Sequence, residues 1–369
     1  MSAEVDDLLM LPSDLRTLVG TVAAVQANFY QVQLDPQMEM PLVSTLLCTR
    51  RSRLKKLGQQ VMVGDRVVVV EPDWAGGRGA IAAVLPRSSE LDRPSIANAN
   101  QILLVFALAE PTLEPIQLSR FLVKAESTGL AVTLCLNKSD LVSSAEQQQW
   151  RHRLRTWGYD PLIISLQQGT GFAAVGHRLA QQITVVAGPS GVGKSSLINW
   201  LIPALDLRVG AVSGKLGRGR HTTRHVELFK LPDGGLLADS PGFNQPDLEY
   251  SPLELGGLFP EIRQRLEAAQ CQFGNCLHRD EPNCAVRGEW ERYEHYLTFL
   301  QEAIAYQATL DHSRDDESNV KIKVREDGQR QTEPKLESKR YRRPSRRTEK
   351  QGLQHLYQDI IELLQADDE

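Results

Sequence analysis

The run ITVVAG leading into Gly188, Pro189, Ser190, Gly191, Val192, Gly193, Lys194 and Ser195 constrains the fold more than any other part of the chain. It fits G-x-x-x-x-G-K-[ST], set between a β-branched apolar run and the helical pattern LINWLI. Backbone N–H groups of such a turn and of the following helix start converge on phosphate oxygens, and the glycines let the backbone come close. A strand feeding this loop and helix belongs to a mainly parallel sheet with helices on both faces. Gly188 to Ser196 are therefore expected to cradle a nucleoside triphosphate, with Lys194 reaching the β and γ phosphates and Ser195 ligating Mg²⁺.

Kinases, ATPases and GTPases share the phosphate loop, so the base must be read elsewhere. Asn137, Lys138, Ser139 and Asp140 follow an apolar run and match N-K-x-D. The Asp140 carboxylate can accept hydrogen bonds from N1–H and the exocyclic amine of guanine, whereas adenine would leave it unpaired. Lys138 is expected over the base plane, and Asn137 to tie neighbouring loops. Alone, the pattern arises by chance in about one chain in twenty of this length. Paired with a phosphate loop, it argues for GTP and against a kinase or ATPase.

Asp239, Ser240, Pro241 and Gly242 match D-x-x-G, which puts Asp239 on Mg²⁺ through water and the Gly242 N–H on the γ-phosphate. The glycine-rich basic stretch before it contains Thr222 and Thr223, one of which closes onto Mg²⁺ in a switch segment. With Thr223 in that role the magnesium set is Ser195, Thr223 and Asp239; Thr222 stays as the alternative. Lys194, Ser195, Thr222, Thr223, Asp239 and Gly242 are thus the candidate catalytic residues. Phe243 stands where many GTPases carry a water-positioning glutamine, which implies slow intrinsic hydrolysis completed by a partner. A standard GTPase runs phosphate loop, switch threonine, D-x-x-G and then N-K-x-D, but here N-K-x-D comes first. The domain reads as circularly permuted, a change that spares a packed sheet when the old termini lie close together. The chain then passes directly from the second switch into a cysteine-rich segment, so nucleotide state is expected to move that segment.

The segment holds Cys271, Cys276, His278 and Cys284, a C-x₄-C-x-H-x₅-C cluster. Three thiolates and one imidazole complete a tetrahedral zinc shell and leave no open position for catalysis. A structural zinc is expected, and its chelation should unfold this unit while sparing the nucleotide site. Cys48 and Cys135 lie in apolar strand-like runs and read as core filler.

Around the GTPase pattern, five short β-rich runs between residues 17 and 90 suggest a small closed barrel of the oligonucleotide-binding (OB) type. A basic loop, Arg50 to Lys56, follows its third strand. The expected organisation is an N-terminal extension (1–16), an OB barrel (17–90), a permuted doubly wound α/β domain (91–245), a helical zinc unit (246–310) and a charged tail (311–369). The tail reads as structureless until a short amphipathic terminal helix, and seven of its residues from Lys339 to Lys350 are basic. The formal net charge is −4, so any RNA contact has to come from local basic patches. No apolar run reaches membrane-spanning length and the acidic N-terminus is unlike a signal peptide, so a cytoplasmic protein is expected. The absence of heptads favours a monomer.

NKSD ahead of GPSGVGKSSLIN, the GRHTT switch, DSPGF and the cluster in CQFGNCLHRDEPNCAV together resemble the RsgA (YjeQ) family of small-subunit-dependent GTPases, over about residues 17 to 305. The resemblance implies GTP and GDP on Asn137 to Asp140 and Gly188 to Ser196, and zinc on Cys271, Cys276, His278 and Cys284. It further implies action on the small ribosomal subunit and its 16S rRNA in late maturation, with hydrolysis stimulated by that subunit. Members often carry a histidine soon after D-x-x-G, and FNQPDLEYSPLELGG has none. A non-catalytic, GTP-dependent RNA-binding assembly factor is the competing expectation.

Overall fold

The computed structural model describes residues 18–36, 44–56, 58–92, 94–205, 226–239, 250–317, 320–324 and 330–334. The chain divides after Ile304 into two compact units. In the larger one, β1 (Leu18–Gln26), β2 (Phe29–Leu34), β3 (Thr45–Arg50), β4 (Arg66–Asp73) and β5 (Arg78–Val84) close a barrel in the order β1-β2-β3-β5-β4. Alternate residues, among them Val22, Tyr30, Val32, Leu46, Cys48, Val67, Val69 and Ile81, fill its interior, as the period of two demands. Burial pushes the Cys48 thiol up to about 12, as befits core filler.

The basic run after β3 is not the loop its composition suggests. Ser52–Lys56 form a short helix, α1, because Leu54 is buried against the barrel and holds the turn down. Arg51 pairs with Glu71, and Arg50 donates to the Gln59 carbonyl at 2.9 Å.

A short hairpin, β6 (Glu90–Asp92) and β7 (Ser95–Ala97), joins the barrel to the α/β domain. Gly64 lies so close to it that a Cβ would sit 2.0 Å from the Ala97 carbonyl oxygen. The fully buried Asp65 accepts from the Met62 N–H at 2.8 Å and from Arg87 at 2.7 and 3.0 Å.

The α/β domain is built on a six-stranded sheet, ordered β10 (Leu162–Ile163), β9 (Ala131–Asn137), β8 (Gln101–Ala107), β11 (Ile183–Ala187), β13 (Leu236–Asp239), β12 (Leu228–Lys230). Every pairing is parallel except that of β12 with β13. All seven residues of β8 are buried, which is why the central strand reads as unbroken apolar sequence. Its Ile102, Leu104 and Phe106 face α2 (Pro115–Glu126) and Leu154 of α3 (Ser144–Thr156). Leu103, Val105 and Ala107 face α4 (Phe172–Leu179) and α5 (Lys194–Leu201) on the other side. At the far edge Glu227, just before β12, bridges to Ala24 of barrel strand β1.

The helical unit comprises α6 (Pro252–Gly257), α7 (Pro260–Ala268) and the start of α8 (Tyr293–Glu317). Ser251 and Glu254 form a capping box at α6. Phe259 sits at the centre of its core, edge-to-face with Tyr296 at 5.4 Å, and Val123 of α2 belongs to the same cluster. The unit is fastened to α2 and α3 by Arg120–Glu302 at 2.6 Å, Arg263–Glu126 at 3.0 Å, Arg153–Glu291, and a Trp157 Nε1 donor to Glu291 at 2.8 Å. Beneath these lies Arg292, fully buried, bonded twice to Glu261 at 2.7 and 2.5 Å and flanked by Trp157, Tyr159 and Phe259.

The second unit departs from the expectation of a structureless stretch after residue 310. Helix α8 runs to Glu317, and β14 (Val320–Val324) pairs antiparallel with β15 (Arg330–Pro334). Val320, Ile322 and Val324 alternate with lysines, a strand period that low overall hydropathy conceals. The N-terminal extension, the basic run from Lys339 and the terminal amphipathic segment lie outside the described residues. Among the described residues no helix is long and apolar enough to cross a membrane.

Candidate functional site

The carboxyl ends of β9, β11 and β13 lie on one edge of the sheet, and each carries one of the motifs. Neighbours β8 and β11 send their helices, α2 and α5, to opposite faces. An open α/β sheet binds ligands at such a switch point. Gly188 leaves β11 at φ +140°, and a Cβ there would stand 2.1 Å from the Val105 carbonyl oxygen. Gly193 opens α5 at φ +100°, where a Cβ would stand 2.4 Å from Asn137 Nδ2. Both glycines are required sterically, one against the sheet and one against the base loop.

Lys194 is buried and its Nζ donates to the Gly188 and Pro189 carbonyls at 2.8 and 2.5 Å. The ammonium is thereby held inside the turn whose N–H groups would meet a phosphate. Ser195 and Ser196, half-buried in the first turn of α5, stand beside it at the helix end that favours anions.

Asn137 ends β9 and is almost fully buried, donating from Nδ2 to the Val192 carbonyl at 2.8 Å. Two motifs more than fifty residues apart in sequence are thus locked together. Lys138 takes a left-handed conformation, φ 60°, and its Nζ reaches the Glu110 carbonyl. Ser139 and Asp140 come next in a 3-10 turn, and Asp140 accepts a hydrogen bond from the Ser165 hydroxyl. Ser165 was not singled out by the sequence. It lies just past β10, takes part in an isolated bridge with Thr170, and its Oγ also accepts from the Gln168 N–H at 3.0 Å. A hydroxyl residue ending a short apolar run at the sheet edge is its only sequence signal.

Asp239 ends β13 opposite Val186 of β11. Its backbone therefore arrives beside the phosphate loop, and nothing is described of its side chain. Thr222, Thr223, Gly242 and Phe243 lie outside the described residues.

The second cluster is complete. The ligand atoms of Cys271, Cys276, His278 and Cys284 all lie within 4.8 Å of one another. Cys271 Sγ is 3.9 Å from Cys284 Sγ, and His278 Nδ1 is 3.6 and 3.5 Å from those two sulfurs. Ordinary bond lengths around a tetrahedral zinc put two thiolates about 3.8 Å apart, and a thiolate and an imidazole nitrogen about 3.6 Å apart. The donor set and its spacing fit that ion.

Backbone N–H groups point at the sulfurs: His278 to Cys276 at 3.4 Å, Val286 and Arg287 to Cys284 at 3.4 and 3.3 Å. Burial opposes the Cys284 thiolate, but these donors and the neighbouring thiols outweigh it and lower its pKa. Burial also lowers His278, which keeps the imidazole in the neutral form a metal requires. Glu281, another residue the sequence did not flag, accepts from the Leu277, Arg279 and Asp280 N–H groups at 2.8, 2.9 and 3.1 Å. Burial works against its charge, yet these bonds bring its carboxyl down to about 2. Tyr296 and Tyr293 donate to the Leu277 and His278 carbonyls at 2.6 and 2.9 Å, fixing the cysteine loop to α8.

Residues 84–249 match the family model described as RsgA GTPase. The small ribosomal subunit biogenesis GTPase RsgA of Trichormus variabilis is 66% identical over 360 residues, covering 93% of this chain and 97% of that one. Its namesake in Microcystis aeruginosa is 56% identical, covering 97% and 99%. Among solved structures, the circularly permuted GTPase YloQ matches with a TM-score of 0.65 at 30% identity, covering 79% of this chain and 96% of its own. YjeQ from Thermotoga maritima matches with a TM-score of 0.66 at 30% identity, covering 78% and 99%.

Proposed function

The chain belongs to the RsgA family of circularly permuted GTPases, and from that premise we propose that it binds GTP and hydrolyses it while engaged with the small ribosomal subunit during maturation. The observation that carries the reading is the Asn137–Val192 bond, which joins a guanine-recognition motif to a phosphate loop across the sheet. In this reading Asp140 reads the guanine edge, Lys138 covers the base, and Gly188 to Ser196 hold the phosphates. Ser195, Thr223 and Asp239 form the magnesium set, which when filled neutralises charge on the β and γ oxygens. Lys194 stabilises charge on the transferring phosphoryl group, and Gly242 senses the γ-phosphate. Phe243 has no group to orient water, so the subunit completes the site. Cys271, Cys276, His278 and Cys284 hold one structural zinc, supported by the match of their spacing to a tetrahedral shell. The contact is with 16S rRNA, made by a cytoplasmic monomer through local basic groups, since the net charge of −4 supplies no general attraction.

Turnover of GTP and ATP by the purified protein tests this, alone and with small subunits, large subunits or intact ribosomes, at two salt concentrations. GTP-selective hydrolysis that rises only with small subunits and weakens with salt is expected. Salt-sensitive binding without turnover would instead identify a GTP-dependent assembly factor, and equal use of ATP would refute the guanine assignment.

A further inference from the structure

The helix after the base-recognition turn carries a side chain that the motifs do not account for. Gln147, half-buried one turn into α3, donates from Nε2 to the Ser139 carbonyl at 2.9 Å. That carbonyl belongs to the peptide unit whose nitrogen is Asp140's own. On the preceding peptide unit, the Ser139 N–H donates to the Ile164 carbonyl at 3.1 Å. The backbone entering Asp140 is held from both sides, which fixes the direction in which its Cα–Cβ bond leaves the turn. Ser165 then fixes the carboxylate from its other end.

Helix α3 is a firm base for this. Its start is capped by Ser143, whose hydroxyl accepts from the Glu146 N–H at 3.2 Å. Its end is gripped by Glu291 through Arg153 and Trp157.

We propose that Gln147 is a positioning residue for base recognition: it aims Asp140 at the guanine edge and so sets the preference for guanine over bases lacking the exocyclic amine. This rests on the GTPase reading above. A carboxylate that must meet two donors at once is sensitive to tilt, because losing aim costs the second hydrogen bond before the first. Gln147 spends its amide on the Ser139 carbonyl and acts through the turn, so its loss should raise KM for GTP and leave kcat alone.

The test is equilibrium binding of fluorescent GDP, IDP and ADP to the full chain and to Gln147→Ala, Gln147→Lys and Gln147→Glu, with thermal melting alongside. Gln147→Ala should weaken GDP about three- to tenfold, the worth of one neutral hydrogen bond, and weaken IDP less, since hypoxanthine has no exocyclic amine to lose. Gln147→Lys restores a donor and should recover most of the affinity. Gln147→Glu sets a carboxylate against a carbonyl and should bind GDP no better than Gln147→Ala, all three melting like the parent. If the parent prefers GDP to ADP while Gln147→Ala keeps its GDP affinity and its GDP-to-IDP ratio, the proposal is wrong. A uniform loss for GDP and IDP accompanied by lower melting would also overturn it, by making Gln147 merely structural. A parent with no preference for GDP over ADP removes the guanine reading itself, and this inference with it.

Discussion

Replacing Glu261 by alanine should be among the most damaging single changes in the helical unit that carries the cysteine cluster. The substitution leaves the Arg292 guanidinium with no exposure to solvent and no counter-charge. Two charge-assisted hydrogen bonds disappear, from Nε at 2.7 Å and Nη2 at 2.5 Å, each worth about 1.5 to 3 kcal/mol. Nη1 already lacks a hydrogen-bond partner among the described residues, so the change leaves all three guanidinium nitrogens without one. Trp157, Tyr159 and Phe259 offer ring faces within 6 Å of the guanidinium carbon, which soften the loss without cancelling it. Breaking one partner of a buried pair costs about 3 to 5 kcal/mol by comparison with similar sites, in line with the sum above. Urea unfolding followed by tryptophan fluorescence is a suitable assay, because Trp157 lies 4.9 Å from Arg292. The double variant Glu261→Leu, Arg292→Met removes both charges and fills much of their volume. It should recover most of the loss, since hydrophobic replacement of a buried pair is often neutral or better. A cost below about 1 kcal/mol for Glu261→Ala would show that Arg292 finds water or another acceptor, and would refute the description of this pair as a desolvated rivet.

Other perturbations have equally definite outcomes. Asp140→Asn should lose GTP and gain xanthosine nucleotides, because the amide donates where the carboxylate accepted; nucleotide competition reads this directly. Gly188→Ala drives a methyl into the Val105 carbonyl, so nucleotide binding measured by calorimetry should vanish. Chelation should release one zinc per chain, measured with a colorimetric dye, and strip hydrogen-exchange protection from residues 271–286 while nucleotide affinity is retained. Glu281 has a folded pKa of about 2 against an ordinary 4.5. A depressed carboxylate contributes stability that is full above 4.5 and is lost as pH falls towards 2. The stability gap between the parent and Glu281→Gln, followed by denaturation across pH, should therefore be constant near neutrality and close in acid.

The barrel, the doubly wound sheet and the cysteine–histidine cluster were legible because each rests on local pattern. Alternation marks the strands, glycine marks the turn after β11, and cysteine spacing marks the cluster. What escaped was what depends on distant partners. Ser119, Arg120 and Arg153 are polar residues of helices, and they meet His295, Glu302 and Glu291 from more than a hundred residues away. Arg292, set among charged and aromatic residues in WERYEHY, carries no sequence sign of its complete burial. Ser165 and Gln147 were invisible for a related reason. Neither residue type is diagnostic, and their significance comes only from the turn that the fold sets against them. The helix at Ser52–Lys56 escaped because four of its five residues are polar, and the buried Leu54 alone decides it.

The permutation bears on how nucleotide state leaves the site. The segment carrying Thr222 and Thr223 rejoins the described chain at Val226, and the next residue, Glu227, bridges to Ala24 of the barrel. The segment that begins after Asp239 rejoins it at Tyr250, whose hydroxyl is 2.9 Å from Ser127 Oγ just past α2. Each motif segment therefore has one end on the sheet or phosphate-loop helix and the other on a neighbouring module. The helical unit is fastened to α2 and α3 by the Arg120–Glu302, Arg263–Glu126 and Arg153–Glu291 pairs, by the stacking of Arg292 on Trp157 and by packing around Val123, so moving it as a whole means breaking those contacts together. The barrel meets the sheet edge next to β12 through the Glu227–Ala24 bridge and a patch of apolar side chains including Val25 and Val226, and it meets the β7 side through the Val63–Ile96 bridge, the Ala97 N–H on the Val63 carbonyl at 2.8 Å and Asn98 Nδ2 on the Gly64 carbonyl at 3.0 Å. The direct run of the chain from Asp239 to Tyr250 is the ground for expecting nucleotide state to move the helical unit. Distance measurements between labels on α2 and on α7 should change between GDP and a non-hydrolysable GTP analogue, because a ligand shifts only an equilibrium between states it binds differently. Fixed α2–α7 distances would refute that expectation.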